Sequence, residues 1–394
     1  MRVKGFSAAA VEAGIRYKNR LDLGLIYSDR PAVTAGVFTT NRVKAAPVLL
    51  DRKRLQRGQA QAVLINSGNA NACTGEKGLE FARLTADMAA RELDIDPEFV
   101  QVASTGVIGE PLESEPFARA MPGLVKALSR DGFDDLARAM MTTDTRPKIV
   151  HRTIAVDGVL VSILGVAKGA GMIMPNMATM LCFVLTDARI VFPVLRDIVT
   201  KGVETSFNRI TVDGDTSTND TVLVMANGAA GNGWLEEDNP GAVATFRAAM
   251  EGVFSELATM IVADGEGATR MVTIRVEGAR EQEAALDAAR TIANSPLVKT
   301  AFFGRDPNWG RIMAALGRSD CFFHPDRVCI SFDDVMMVEN GLGLGPDAER
   351  KAAMVMEQKT FTVHVQLNDG VECGEILTCD LSNEYVAINA DYRS

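Results

Sequence analysis

The stretch RTIAVDGVLVSILGVAKG, residues 152–169, limits the fold more than any other. Ile154 and Val156 alternate with other residues, Asp157-Gly158 suits a two-residue type I′ turn, and Val159, Val161 and Ile163 resume the alternation. That is a β-hairpin. A hairpin joins antiparallel neighbours, so an all-parallel nucleotide-binding sheet is disfavoured from the start.

Strand and helix signals alternate around the hairpin without segregating. QAVLINSGNA and FVQVASTG read as short apolar strands running into Gly and Asn loops. Between them, GLEFARLTADMAARELD places Phe81, Leu84 and Met88 on one helical face. A strand containing Thr179 follows the hairpin, and VFPVLRDIVTKGVETSFNRI reads as a helix. Phe246, Met250, Val253, Leu257 and Ile261 then recur at helical spacing, a core-facing stripe that ends before Gly265. MVTIRVEG alternates as a strand. From about residue 280 the pattern restarts with a helix, the loop FFGRDPNWGRI, and the strands RVCISFDD, FTVHVQL and GEILTCDL. The expected class is α/β with mixed or antiparallel sheets, divided into residues 1–279 and 280–394.

Composition excludes several functions. A chain of 394 residues has room for two or three well-buried cores. A net charge of −10, with no run of Lys and Arg, argues against nucleic-acid or anionic-membrane surfaces. The start, MRVKGFSAAAVEAGIRYK, has no signal-peptide core, and no apolar run approaches the roughly 20 residues that cross a bilayer. A cytoplasmic location is expected. None of the six cysteines forms a C-x-x-C pair and the three histidines are far apart, so no metal site is expected.

Four loops carry polar or glycine-rich motifs. NGLGLGPDAER lacks phosphate-loop spacing and reads as a turn. TVDGDTSTND gathers Asp213, Asp215 and Asp220 but has Val224 where a calcium loop needs Glu, so it reads as a polar loop near a site. ASTGVIGEP sets Ser104, Thr105 and Gly106 just beyond a strand, where small residues can present backbone N–H groups to an oxyanion. KGAGMIMPNMATML combines pliable glycines, Pro175, Asn176 and the small Ala178 before Thr179. A Thr hydroxyl in such a turn can attack the preceding carbonyl. Cleavage would leave a terminal Thr whose α-amine serves as its own base. An ordinary strand threonine is the competing reading, and residue chemistry alone does not displace it.

These segments together resemble the ornithine acetyltransferase family, also called the bifunctional glutamate N-acetyltransferases of arginine biosynthesis. The resemblance runs through VKGFSAAAVEAGI, AGVFTTNRVKAAPV, INSGNANACTGEKG, STGVIGEPL, KGAGMIMPNMATML, TVDGDTSTND, GRDPNWGRI and EYVAINADYRS, in order and over essentially the whole chain. It implies a layered sandwich with helices outside two sheets, plus a smaller C-terminal α/β domain. It also implies self-cleavage between Ala178 and Thr179 into an α chain, residues 1–178, and a β chain, residues 179–394, assembled as α2β2. Thr179 resembles the family's nucleophile, and Thr105 with Gly106 its oxyanion pair. Thr142, Lys168, Thr179, Glu266, Asn389 and Ser394 match its substrate contacts, with Thr143 adjacent to Thr142. The implied reaction passes acetyl from N-acetylornithine to glutamate through acetyl-Thr179, without metal or organic cofactor. Acetyl-CoA is the second donor in bifunctional members. A related N-terminal-nucleophile aminopeptidase or amidase is the rival enzyme, and a binding protein without turnover is the rival from another class.

Overall fold

The structure is a computed structural model that describes residues 2–174 and 180–391. It divides into two compact units, residues 1–208 with 215–261, and residues 209–214 with 262–394. The nominated Ala178, Thr179 and Ser394 lie outside the described residues.

The first unit contains, in chain order, β1 (Phe6–Val11), β2 (Leu23–Phe38), α1 (Ala46–Arg54), β3 (Gln59–Asn66), α2 (Gly75–Leu93), β4 (Val100–Ser104), α3 (Ser114–Lys126) and α4 (Phe133–Met140). Then come β5 (Lys148–Val156), β6 (Val159–Lys168), β7 (Leu181–Thr186), α5 (Phe192–Thr205), β8 (Thr221–Ala226) and α6 (Pro240–Ala263). Its sheet runs β4-β3-β2-β8-β7-β6-β5, with β1 added against β2. The pairs β3–β4 and β7–β8 are parallel and the others antiparallel. The hairpin is β5–β6, in the register its Asp157-Gly158 turn requires, with Val156 opposite Val159 and Lys148 opposite Ala167.

One strand makes this sheet fold over on itself. In β2 the register with β3 jumps between Tyr27 and Ala32, so four residues, among them Pro31, stand against one partner residue. The extra length bends the strand. The two halves of the sheet then face one another across a shared core of Ile26, Val63, Ile65 and Ala103 with Leu164, Val166, Phe183, Leu185, Leu223 and Met225. Outer faces follow from the two-residue period: Leu25, Leu64 and Val102 point instead toward Ala82, Ala86 and Ala89 of α2 and Phe117 and Met121 of α3. On the other side, Val253 and Leu257 of α6 press on Gly165 of β6. The unit is therefore helix, sheet, sheet, helix.

The stripe Phe246, Met250, Val253, Leu257 and Ile261 is fully buried, as its spacing requires. Helix α2 differs from expectation. Its buried face is Gly78, Ala82, Thr85, Ala86, Ala89 and Ala90, while Leu84 is 43% exposed and Phe81 and Met88 pack at the margin. The alanines let the helix lie close to the sheet, a packing that a search for large apolar residues overlooks. At the sheet edge, α1 caps β4 with side chains. The Val102 N–H donates to Asp51 Oδ1 at 3.0 Å, and Arg54 Nη1 donates to the Val100 carbonyl at 2.6 Å. An edge strand's spare hydrogen-bonding groups are thus used internally.

The second unit contains β9 (Met271–Ala279), α7 (Gln282–Ala293), α8 (Pro296–Gly304), α9 (Trp309–Leu316), β10 (Cys329–Phe332), β11 (Val335–Glu339), β12 (Leu342–Gly343), α10 (Pro346–Val355), β13 (Thr360–Gln366), β14 (Glu372–Cys379) and α11 (Asn383–Ala390). Its sheet runs β12-β11-β10-β13-β9-β14, and only β13–β9 is parallel. Of the expected loop FFGRDPNWGRI only residues 305–308 lie outside helices: Phe302, Phe303 and Gly304 end α8, and the Asn308 side chain caps α9 by accepting the Arg311 N–H. No helix among the described residues is long and apolar enough to cross a membrane.

Helix α7 lies on β9 and β14, with Ala285, Ala289 and Ile292 against Val272, Ile274 and Val276. A Cβ on Gly374 of β14 would sit 2.5 Å from the Ala285 carbonyl carbon. Gly374→Ala should therefore lower the stability of the unit by about 1–3 kcal/mol or more, read as a drop in thermal midpoint with far-UV circular dichroism otherwise unchanged.

Candidate active site

Three strand ends build the site in the first unit. Strand β3 ends at Asn66 and β4 at Ser104, and the loops beyond them are tied together. Ser104 Oγ donates to Asn66 Oδ1 at 2.6 Å, Asn66 Nδ2 to the Asn69 carbonyl at 3.0 Å, and the Thr105 N–H to the Asn66 carbonyl at 3.0 Å. Asn219, from TVDGDTSTND, donates from one amide to the carbonyls of Ala70 and Ser104 at 2.6 and 2.8 Å. Gly106 has φ 135°, and a Cβ there would collide with the Gly68 carbonyl carbon and the Asn69 nitrogen. Only glycine fits, so the turn after Thr105 is dictated by backbone contact.

The third strand end is Lys168, the last residue of β6. It is 3% exposed, and its ammonium donates to Thr105 Oγ1 at 3.2 Å and to Thr142 Oγ1 at 2.8 Å. Thr142, rather than the neighbouring Thr143, is thus the threonine that meets Lys168. Behind them lies Asp144. Its Oδ1 accepts from Lys148 Nζ and from the Gly169 N–H, each at 2.7 Å. Its Oδ2 accepts the Thr142 N–H at 3.1 Å and lies 4.0 Å from Lys168 Nζ. Burial pushes the Asp144 carboxyl up; the charges of Lys168 and Lys148, with the bonds from Lys148 and Gly169, more than reverse this and leave it at about 2.

A second buried carboxyl stands where β7 begins. Asp220 Oδ1 accepts the Met180 N–H at 3.0 Å, while the Thr221 N–H donates to the Met180 carbonyl at 3.1 Å. Residue 180, one past the nominated nucleophile, is gripped at both ends. Burial pushes the Asp220 carboxyl well up, against the Met180 bond, the nearby hydroxyls of Thr39 and Ser217 and the charge of Lys168. Its other oxygen is buried and has no hydrogen bond among the described residues.

The second unit holds a separate pair. Glu266 is buried in the loop after α6, and Asn389 of α11 donates to its Oε2 at 2.7 Å. Ser382 Oγ, just before α11, donates to the Gly267 carbonyl at 2.6 Å, which keeps the helix beside that loop. Of the nominated residues, Thr105, Gly106, Thr142 and Lys168 fall in one cluster, and Glu266 with Asn389 in the other. Asp144, Lys148, Asp220, Asn66 and Asn219 are additions. Asp220 and Asn219 belong to the polar loop TVDGDTSTND, whose carboxylates do carry a signal, whereas nothing in TTDTRPK marks Asp144 and Lys148 as buried.

The class the structure defines is a folded-over α/β sandwich whose strand ends bring buried Thr105 and Lys168 together with Thr142. A family model described as the ArgJ family matches residues 7–394. The chain is 56% identical over 394 residues to the arginine biosynthesis bifunctional protein ArgJ of Desulfotalea psychrophila, covering 100% of both, and 53% identical to that of Geobacter sulfurreducens, again covering 100% of both. The solved structure of arginine biosynthesis bifunctional protein argJ from Bacillus halodurans is 39% identical, with a TM-score of 0.50, over 53% of this chain and 97% of the other. The chain belongs to the ArgJ family.

Because the Asp144 carboxyl is held below its unfolded value, it contributes stability above about pH 4, and that contribution is lost as the pH falls from about 4 to 2. The size is about 2 kcal/mol. Asp144→Asn should abolish this acid limb and, by leaving Lys148 buried without its carboxylate, cost about 3–5 kcal/mol at neutral pH. Thermal midpoints of both proteins across roughly pH 2–7 check it.

Proposed function

We propose that this ArgJ-family enzyme transfers the acetyl group of N2-acetyl-L-ornithine to L-glutamate, giving L-ornithine and N-acetyl-L-glutamate, through an ester on Thr179. The observation that carries the site assignment is the meeting of Thr105, Thr142 and Lys168 at the ends of β4 and β6, beside Met180, which directly follows Thr179 in sequence and directly precedes β7.

The precursor cuts between Ala178 and Thr179, and the α-amine of Thr179 becomes the base for its own hydroxyl. That hydroxyl attacks the acetyl carbonyl. The Thr105 hydroxyl and the Gly106 backbone N–H stabilise the tetrahedral oxyanion, each donor worth about 2.7–4 kcal/mol where such donors have been removed. Ornithine leaves, glutamate attacks the ester, and N-acetylglutamate departs. No step calls for a metal or organic cofactor. Lys168 and Thr142 supply charge and a hydroxyl to the substrate's amino-acid end, and Glu266, Asn389 and Ser394 complete the substrate contacts. Acetyl-CoA is carried as a second donor of acetyl to glutamate. The solved relative's polypeptide is about half the length of this one, which fits one of two chains left by such a cut. We place the enzyme in the cytoplasm as an α2β2 assembly, a setting compatible with its six free cysteines.

Denaturing intact-mass spectra should show wild type as two species divided at 178/179 and Thr179→Ala as one. An uncut wild type would overturn the nucleophile. Fed acetylornithine and glutamate, the cut enzyme should yield acetylglutamate; free acetate alone would instead favour the related amidase. If Glu266 holds the ornithine side-chain ammonium, Glu266→Gln should raise KM for acetylornithine well above any change in KM for acetylglutamate in the reverse reaction. Equal changes would reject that role.

A further inference from the structure

The ammonium of Lys168 can only donate hydrogen bonds, so at 3.2 Å the Thr105 oxygen must be the acceptor. A hydroxyl has one hydrogen and can turn it to suit its surroundings. Here the oxygen is engaged by the lysine, and among the described residues the Thr105 hydroxyl donates to nothing. Its backbone N–H is committed to the Asn66 carbonyl, so the loop is fixed and only the hydroxyl hydrogen keeps a choice of direction. We propose that Lys168, held in place by Asp144, acts on the reaction through Thr105: it turns the hydroxyl hydrogen away from itself, toward the acyl oxygen, and strengthens it as a donor. The inference rests on the reading above, in which Thr105 serves the oxyanion.

The surroundings favour Lys168 for this part. Asp144 meets Lys168 through Oδ2, and the same carboxylate fixes the residues on either side of the contact, the Thr142 N–H and the Gly169 N–H. Lys148 is turned the other way, onto Asp144 Oδ1 and the Arg146 carbonyl. Asp220 is close enough to feel the charge of Lys168, which works against the upward push that burial gives its carboxyl. A cation beside a hydroxyl oxygen withdraws electron density from the O–H bond, and hydrogen bonds in such a chain reinforce one another in a dry site. Lys168 is thus a positioning residue for Thr105, in addition to any contact it makes with substrate. Asp144 is a positioning residue for Lys168.

The test is a double-mutant cycle on full-length protein: wild type, Thr105→Val, Lys168→Met and the double variant, assayed for acetyl transfer from acetylornithine to glutamate. Thr105→Val should lower kcat by about 10²–10³-fold. Lys168→Met should lower it by roughly 10–100-fold, as the loss of one charge-assisted hydrogen bond would. The double variant should match Thr105→Val to within about twofold, because a residue acting through the hydroxyl has nothing to act on once it is gone. Losses that multiply would overturn the proposal, and so would a Lys168→Met variant that raises KM for glutamate while kcat stands. An uncut Lys168→Met beside a normally cut Thr105→Val would overturn it as well. If both stay largely uncut, the same cycle is read on the cutting rate by intact mass: a double variant no slower than Thr105→Val supports the proposal, and losses that multiply overturn it. Failure of the underlying function shows separately, as a cut wild type that makes no acetylglutamate; the cutting-rate cycle then still decides whether Lys168 works through Thr105.

Discussion

Two buried lysines depend on one carboxylate. An ammonium taken out of water costs several kcal/mol unless it is paired and hydrogen-bonded, and here Lys148 and Lys168 both lean on Asp144. The carboxylate in turn stays ionised in a buried place because of them. Each of its oxygens is engaged, Oδ1 by Lys148 and Gly169 and Oδ2 by Thr142, so the cluster has no spare freedom. The site's charge and the geometry of its threonines therefore stand or fall together.

That cluster is a product of the hairpin. Lys148 opens β5 and Lys168 closes β6, and the turn at Asp157-Gly158 pairs Lys148 with Ala167. A slip of one residue would reverse the faces of the strand and send one lysine out of the cluster. The two-residue turn thus sets the place of a charge at the far end of the strand. A comparable dependence holds on the other side of the site, where Gly106 must be glycine because Gly68 and Asn69 lie against it.

Legibility in the sequence follows period and turn chemistry. The hairpin, the α6 stripe and the strands running into loops can be read because each repeats a local rule over several residues. Helix α2 is legible as a helix but not by its buried face, since alanines carry too little hydrophobic signal to mark a close helix–sheet contact. The bend in β2 leaves no readable trace, because a jump in register depends on the partner strand. At the site, Thr105, Gly106 and Lys168 are legible through motifs that match a family. Asp220 is legible only as one of several carboxylates in a polar loop, and Asp144 not at all, as a buried carboxylate looks in sequence like any solvated one and only the atoms around it tell them apart.

Strand β7 lies between β6 and β8, paired along its whole length to both, from Lys168–Leu181 to Ile163–Thr186 on one side and from Leu181–Thr221 to Thr186–Ala226 on the other. A break at 178/179 would leave β6 on one fragment and β7 with β8 on the other. Neither fragment could complete the sheet alone. Opening the backbone at that point would turn folding from an event within one molecule into an encounter between two, so the recovered fraction after denaturation would come to depend on dilution. The cut chain would be long-lived yet hard to remake, committed to the one assembly it had as a precursor.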